Sequence, residues 1–394
     1  MKFARLASSV FVLKIVFTII AVLIAVCMVY YFNRLCFSEN TTIKAVINPN
    51  ESIIKKLSSR QKKISDKGLY ITSWSAQSKQ KMDYIKNILK TRGLNTIVVD
   101  VNYFLEEPLL KLAKEKKLNK NTIVTASPWL TKFVEDMHKD GVIVSARIVA
   151  FKDDHLIIAR PDLSIRLPDG KEYRDHKNGR WVDPYSEEGC LFKELLAERA
   201  ALSGVDEIQF DYIRFPAEGA AENIVLPHKK IYLQKAGTTE IDRVDIICRF
   251  LKNTRQRLQK YNVSMALDIF GIIAWQEKRD IKTLGQDLKK MSEFLDVLSP
   301  MLYPSHFHNG YDGYSNPGSE PYHFMYVGVK KSLEILSGEA TVLVPWIQGF
   351  NLKSPNYGPA YIDAQIKACK DLGVNKYLIW NARNVYDSVY VKKI

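Results

Sequence analysis

Eight short, nearly continuous apolar runs, separated by stretches of helical spacing, constrain this chain more than any other feature. The runs are Gly68–Ser73, Thr96–Val101, Val142–Phe151, Glu207–Ile213, Val263–Phe270, Val297–Tyr303, Thr341–Phe350 and Lys376–Asn381. Strands that read as continuous apolar segments rather than alternating ones are covered on both faces, as in parallel sheets. The intervening segments carry helix signals: Ser127-Pro128 ahead of Trp129–Lys139, Ser186-Glu187-Glu188 opening a segment closed by Gly204, and amphipathic spacing over Asp242–Lys260 and Asp363–Leu372. Alternating strand and helix implies right-handed βαβ units, and eight of them close into a (β/α)₈ barrel of the TIM type, here residues 67–394. An open doubly wound sheet is disfavoured because no glycine-rich nucleotide motif follows the early strands.

The long connections follow strand three (152–188), strand four (216–241) and strand six (304–321), while the helix-to-strand turns are short. In a barrel this puts the long loops at the C-terminal face, where active sites form. Within the first, Leu163–Trp181 with Pro168-Asp169-Gly170 at its centre predicts a small hairpin over the barrel mouth.

The N-terminal 34 residues differ in kind. Lys2, Arg5, Lys14 and Arg34 are their charged residues, and residues 15–32 form an uncharged stretch of 18 ending in Tyr30-Tyr31-Phe32. This length approaches the ~20 apolar residues that span a bilayer, with aromatic residues suited to the interface. Val26-Cys27-Met28 offers a poor cleavage site, so an uncleaved signal anchor is preferred over a cleaved signal peptide, with the large domain extracytoplasmic at the cell membrane. Residues 35–66 read as a polar stalk. None of the 43 acidic residues and four of the 57 basic ones precede residue 35, so the remainder keeps an excess of ten positive charges, which favours anionic neighbours such as wall polymers. No nucleic-acid motif is present, and the five cysteines have neither disulfide-framework nor zinc-site spacing. No cofactor is called for.

Three carboxylates stand inside apolar runs near strand ends: Asp100, Asp211 and Asp268, with Arg147 and Arg214 as candidate partners. Trp74, Tyr303, His306, Trp346, Gln348, Trp380 and Asn381 complete the ring of strand ends. Aromatic faces with amides and acids suit a sugar, whose pyranose faces stack on rings and whose hydroxyls need dipolar partners. The competing structural reading is an Asp–Arg network that plugs the barrel.

The stretches Ala146–Asp153, Trp181–Tyr185, Asp206–Pro216, Asp268–Gly271, Gly285–Leu288, Ser299–His306, Pro345–Phe350 and Leu378–Asn381 together resemble bacterial glycoside-hydrolase-like (β/α)₈ barrels with a D-Y-x-R-[FY]-P motif on strand four. The resemblance runs from Gly68 to about Asn384 and implies a hydrolase of a polysaccharide or oligosaccharide. Asp211, Arg214 and Asp268 match its pattern, whereas Gly349 stands where that pattern has an acid. Glycoside cleavage needs one protonated and one ionised carboxyl group. Asp211 is expected to be the ionised member, held by Arg214 or Arg147, and Asp268 the acid/base, with Asp100 as its substitute. Asp100, Arg147, Arg214, Tyr303, His306, Trp346, Gln348, Trp380 and Asn381 are expected to bind substrate. Two rivals stand beside this reading: a carbohydrate-binding barrel without turnover, favoured by Gly349, and a metal-dependent hydrolase using His306, His308 and Asp312.

Overall fold

All eight apolar runs form strands in the computed structural model, which describes residues 50–219 and 221–387. They are β1 (Lys67–Ile71), β2 (Thr96–Asp100), β3 (Ile143–Val149), β4 (Glu207–Asp211), β5 (Ser264–Phe270), β6 (Val297–Met301), β7 (Val342–Leu343) with β8 (Trp346–Gln348), and β9 (Tyr377–Trp380). Every pairing is parallel, and the β1–β9 and β5–β6 contacts close the sheet into a barrel. β7 and β8 together fill the seventh position. Pro345 lies between them and has no N–H to donate, so the ladder is interrupted there.

The sheet separates two apolar cores. Outward side chains such as Ile97, Val99, Ile148, Ile208 and Leu267 pack against the helices in one large cluster. Inward ones form a smaller cluster of Tyr70, Val98, Ala266, Val297, Tyr303, Val344, Trp346 and Leu378 inside the barrel. The helices Glu187–Leu202 and Arg243–Leu258 start where Ser186 and Asp242 accept from Gly189 and Val244 N–H groups. Ser127 precedes the helix Pro128–Lys139 as expected, yet its side chain makes no capping bond. The hairpin over the mouth is present as antiparallel bridges Arg166↔Glu172 and Arg174↔Arg180, tied back through Lys152↔Trp181 and Ser164↔Val182.

Residues 15–32, the expected anchor, and 35–49 of the expected stalk lie outside the described residues. Among the described residues no helix is long and apolar enough to cross a membrane. The end of the stretch read as stalk is instead part of the barrel floor. Arg60 donates to the Gly204 carbonyl at 2.7 Å, and Ser264 and Asn262 donate to the Lys63 and Arg60 carbonyls, both at 2.5 Å. Ser65 donates to the buried Glu207 carboxyl through its N–H at 3.0 Å and its hydroxyl at 2.6 Å, and Ser145 adds a third bond at 2.8 Å. Part of this polar stretch, Arg60 and Ser65 above all, satisfies strand ends, while Gln61, Lys62 and Lys63 are exposed as expected.

Candidate active site at the barrel mouth

Strand register assembles the site. Asp100 is level with Arg147, and Arg147 with Gln209. Phe210 is level with Leu267, so the residues that follow, Asp211 and Asp268, lie side by side on neighbouring strands, whose axes are ~4.8 Å apart. Side chains alternate along a strand, which sends Glu207, Gln209 and Asp211 to the same inward face.

Over β2–β4 the mouth is ionic. The Arg147 guanidinium donates one nitrogen to Asp100 and another to Asp211, and the Tyr70 hydroxyl caps the other Asp100 oxygen. Arg147 is nearly buried, and its guanidinium lies 5.0 Å from the Trp380 ring, which stacks on Tyr70 at 3.8 Å. A buried guanidinium between two carboxylates meets the condition under which buried charge is tolerated, pairing with hydrogen bonds to each member. Asp211 also accepts from the Tyr212 N–H at 2.6 Å. Tyr212 takes a left-handed backbone (φ 53°), rare for a bulky residue and a mark of local constraint beside the carboxylate.

Over β5–β8 the mouth is neutral. One oxygen of Asp268 accepts from Gln209 Nε2 at 2.8 Å and from Trp346 Nε1 at 2.6 Å. Burial, and then the negative charge of Asp211, push the Asp268 carboxyl well above the usual carboxylate range, against the opposing influence of Arg147. The Trp346 hydrogen bond, like Arg147, opposes that rise. Tyr303 faces the same acid, and burial raises its phenol well above its ordinary value. Its buried hydroxyl has no hydrogen-bond partner among the described residues.

The structure redistributes several expected site residues. Arg214 does not pair with Asp211. It bonds Glu218 at 2.9 Å and the Phe215 carbonyl at 3.1 Å, and lies against Phe270 at 4.1 Å and Trp181 at 4.9 Å. Trp346 is wholly buried, so it orients Asp268 rather than offering a stacking face. Gln348 is equally buried, accepting from Ser305 N–H and donating to the Phe350 carbonyl and Ser354 hydroxyl, so its amide braces loops. Asn381 is likewise occupied, donating to the Gly349 and Val385 carbonyls and accepting from the Arg383 N–H. His306 is exposed at the rim, edge-on to Tyr303 and Phe350. Trp380 is half-buried and is the ring at the mouth closest to the ionic cluster. Sequence reading missed Tyr70 and Gln209. The alternation Glu207-x-Gln209-x-Asp211 within an apolar run was the available signal for Gln209.

Gly349 is fixed by packing. A Cβ there would sit 2.6 Å from Ile379 Cγ2 and 2.9 Å from the Trp380 carbonyl, so this backbone has no room for the acid that the resemblance pattern places at the position. Asp312, considered as a metal ligand with His306 and His308, instead pairs with His323 at 2.6 Å. Among the described residues no group of three or more acids, histidines and cysteines is placed to hold a metal ion.

Over residues 68–386 the chain matches the protein family described as "Putative glycosyl hydrolase domain". No curated protein matches it. Among solved structures, the glycoside hydrolase domain of PgaB (BpsB) from Bordetella bronchiseptica is 11% identical over 81% of this chain and 94% of its own, with a TM-score of 0.53. The β-galactosidase of Marinomonas ef1 is 14% identical over 80% of this chain and 54% of its own, with a TM-score of 0.52. A hypothetical protein from Ruminiclostridium thermocellum ATCC 27405 is 27% identical over 51% of this chain and 97% of its own, with a TM-score of 0.40. The first two likenesses show the shared barrel fold.

Proposed function

Because the chain belongs to this family of glycosyl-hydrolase domains, we propose that it cleaves glycosidic bonds with Asp211 and Asp268. The observation that carries the proposal is the contrast between the two adjacent acids. Asp211 is ion-paired with Arg147, while Asp268 is bonded by neutral donors and held toward its protonated form. Two carboxyl groups with environments that separate their protonation states are what glycoside cleavage requires.

In this reading Asp268 gives its proton to the glycosidic oxygen as the bond to the anomeric carbon breaks, and the leaving sugar departs as an alcohol. The Asp211 carboxylate meets the positive charge that develops on the sugar. Water then supplies the hydroxyl to the anomeric carbon, and its remaining proton restores Asp268. Trp380 and Tyr303 bound the sugar, and Arg147 keeps Asp211 charged. The substrate is proposed to be a wall or exopolysaccharide glycan, reached by a domain anchored through residues 15–32 and displayed outside the cytoplasm. The uncharged stretch and the excess of ten positive charges after residue 34 support that placement.

The near-complete burial of Asp268, 2% exposed, favours the second reading, a barrel that binds glycan without turnover. A screen of the full chain against wall and exopolysaccharide glycans, reading released reducing ends, separates the two. Release that disappears in Asp211→Asn supports the hydrolase, and binding without release supports the second reading. N-terminal sequencing of membrane-extracted protein tests the anchor: a start beyond Cys27 would overturn it.

A further inference from the structure

The mouth has a flank that the proposed chemistry does not use. Trp74 follows β1 in the short helix Ser73–Gln77, and Tyr103 follows β2 in Asn102–Leu105, so both stand on the barrel's C-terminal face. They are 64% and 51% exposed, with ring centroids 5.3 Å apart and planes tilted by 43°. Large aromatic rings held in water on an active face mark a binding surface more often than a packing fault.

These rings are braced from behind. Phe104 meets both edge-on, at 5.9 Å from Trp74 and 5.0 Å from Tyr103, and itself packs on Trp129 at 4.7 Å. Asn102 pins the turn to β3, accepting from the Val149 N–H at 3.0 Å and donating to the Val149 carbonyl at 3.2 Å. Fixed rings lose little conformational freedom when a ligand settles on them.

Beside Tyr103 opens a cavity of about 320 Å³, lined by Glu106, Asp154, His155 and Tyr212 among others. Tyr212, which lines it, directly follows Asp211 in the chain. Its charges are matched internally: Glu106 with His155, Lys152 with Asp175, Asp153 with Lys193, and Arg180 with Asp154. A flank of two braced rings, polar rims and no unmatched charge suits the hydrophobic face and hydroxyl edge of an uncharged pyranose.

We infer that Trp74 and Tyr103 form an accessory subsite for neutral sugar residues, along which the glycan chain leaves the mouth over β1–β3. The inference rests on the proposed glycan reading, and its test reads binding rather than turnover so that the two fail separately. The full chain in detergent micelles, carrying Asp211→Asn, is titrated calorimetrically with β-linked hexasaccharides and disaccharides of glucose, galactose, mannose and N-acetylglucosamine. At least one hexasaccharide binds, and Trp74→Ala and Tyr103→Ala each weaken it about three- to tenfold. The corresponding disaccharide, confined to the mouth, is unaffected, as is hexasaccharide binding to Ile231→Ala, a control at another exposed apolar side chain. Absence of binding by all four hexasaccharides, or binding that ignores both ring substitutions, overturns the subsite. A lipid contact would overturn it too: in vesicles containing brominated phosphatidylcholine, fluorescence quenching that vanishes in Trp74→Phe would place that ring in the bilayer. Platform-dependent binding without glycan cleavage by the unsubstituted chain would leave the subsite standing and remove the hydrolase reading alone.

Discussion

The two halves of the barrel mouth solve the same problem in opposite ways. Over β2–β4, two acids share one guanidinium and a phenol caps one of them, so charge is met by pairing it. Over β5–β8, burial and the neighbouring charge of Asp211 push one acid well above the usual carboxylate range, even though an amide and an indole donate to it. The difference teaches that two neighbouring acids can be given opposite surroundings by which side chains reach them inside the barrel. Asp211 and Asp268 are adjacent, yet Arg147 donates its hydrogen bonds to Asp211 and Asp100, and Asp268 receives its own from Gln209 and Trp346.

Breaking the ionic half has the largest expected effect. Arg147→Met leaves Asp100 and Asp211 without their shared cation, and Asp211 is buried. Stability should fall by about 3–5 kcal/mol, measured by urea denaturation. Asp211→Asn keeps the shape and removes the charge, and should lower turnover about 10³-fold with little change in glycan affinity. Loss of affinity equal to the loss of turnover would make Asp211 a binding residue.

The neutral half should respond differently. Asp268→Asn retains an oxygen for Gln209 and Trp346, so the fold persists while turnover drops about 10²-fold or more for want of a proton donor. Its stability carries a signed prediction. The raised carboxyl binds its proton more tightly folded than unfolded, so its own contribution to stability is fully present below the ordinary carboxylate range, ~3.9. Relative to Asp268→Asn it loses stability as pH climbs from there through the raised value. A stability difference that is flat with pH would mean the carboxyl is not perturbed. The smallest effect belongs to Arg214→Lys. Loss of the fork to Glu218 and of the ring contacts should cost about 1–2 kcal/mol of stability and change turnover less than tenfold, because Arg214 does not touch Asp211.

The barrel was legible because its signal is repetitive. Eight apolar runs with helical spacing between them admit few closures, and the strands lie within their expected runs except that β1 starts one residue early, at Lys67. The positions of Asp100, Asp211 and Asp268 at the mouth follow from the same pattern. Partner choice did not follow, because it depends on lateral neighbours. Arg214 is three residues from Asp211 in sequence but has left the strand, whereas Arg147 sits on the adjacent strand and reaches across. The aromatic residues divided for a similar reason. Trp346 and Trp380 look alike at strand ends, but the first is wholly inside the barrel and the second remains at its rim. Nor was the floor legible, since Arg60 and Ser65 read as a solvated stretch until Gly204 and Glu207 are brought to them.

The central claim is that Asp268 holds its proton well above the usual carboxylate range beside an ion-paired Asp211. Infrared spectroscopy tests it without any substrate, since a protonated carboxyl absorbs apart from a carboxylate. The difference spectrum at pH 7 between the full chain and its Asp268→Asn variant should contain the carbonyl band of one carboxylic acid, and that band should fade as pH is raised. A difference spectrum showing instead the loss of a carboxylate band would mean that Asp268 is ionised, and the division of labour between the two acids would be contradicted.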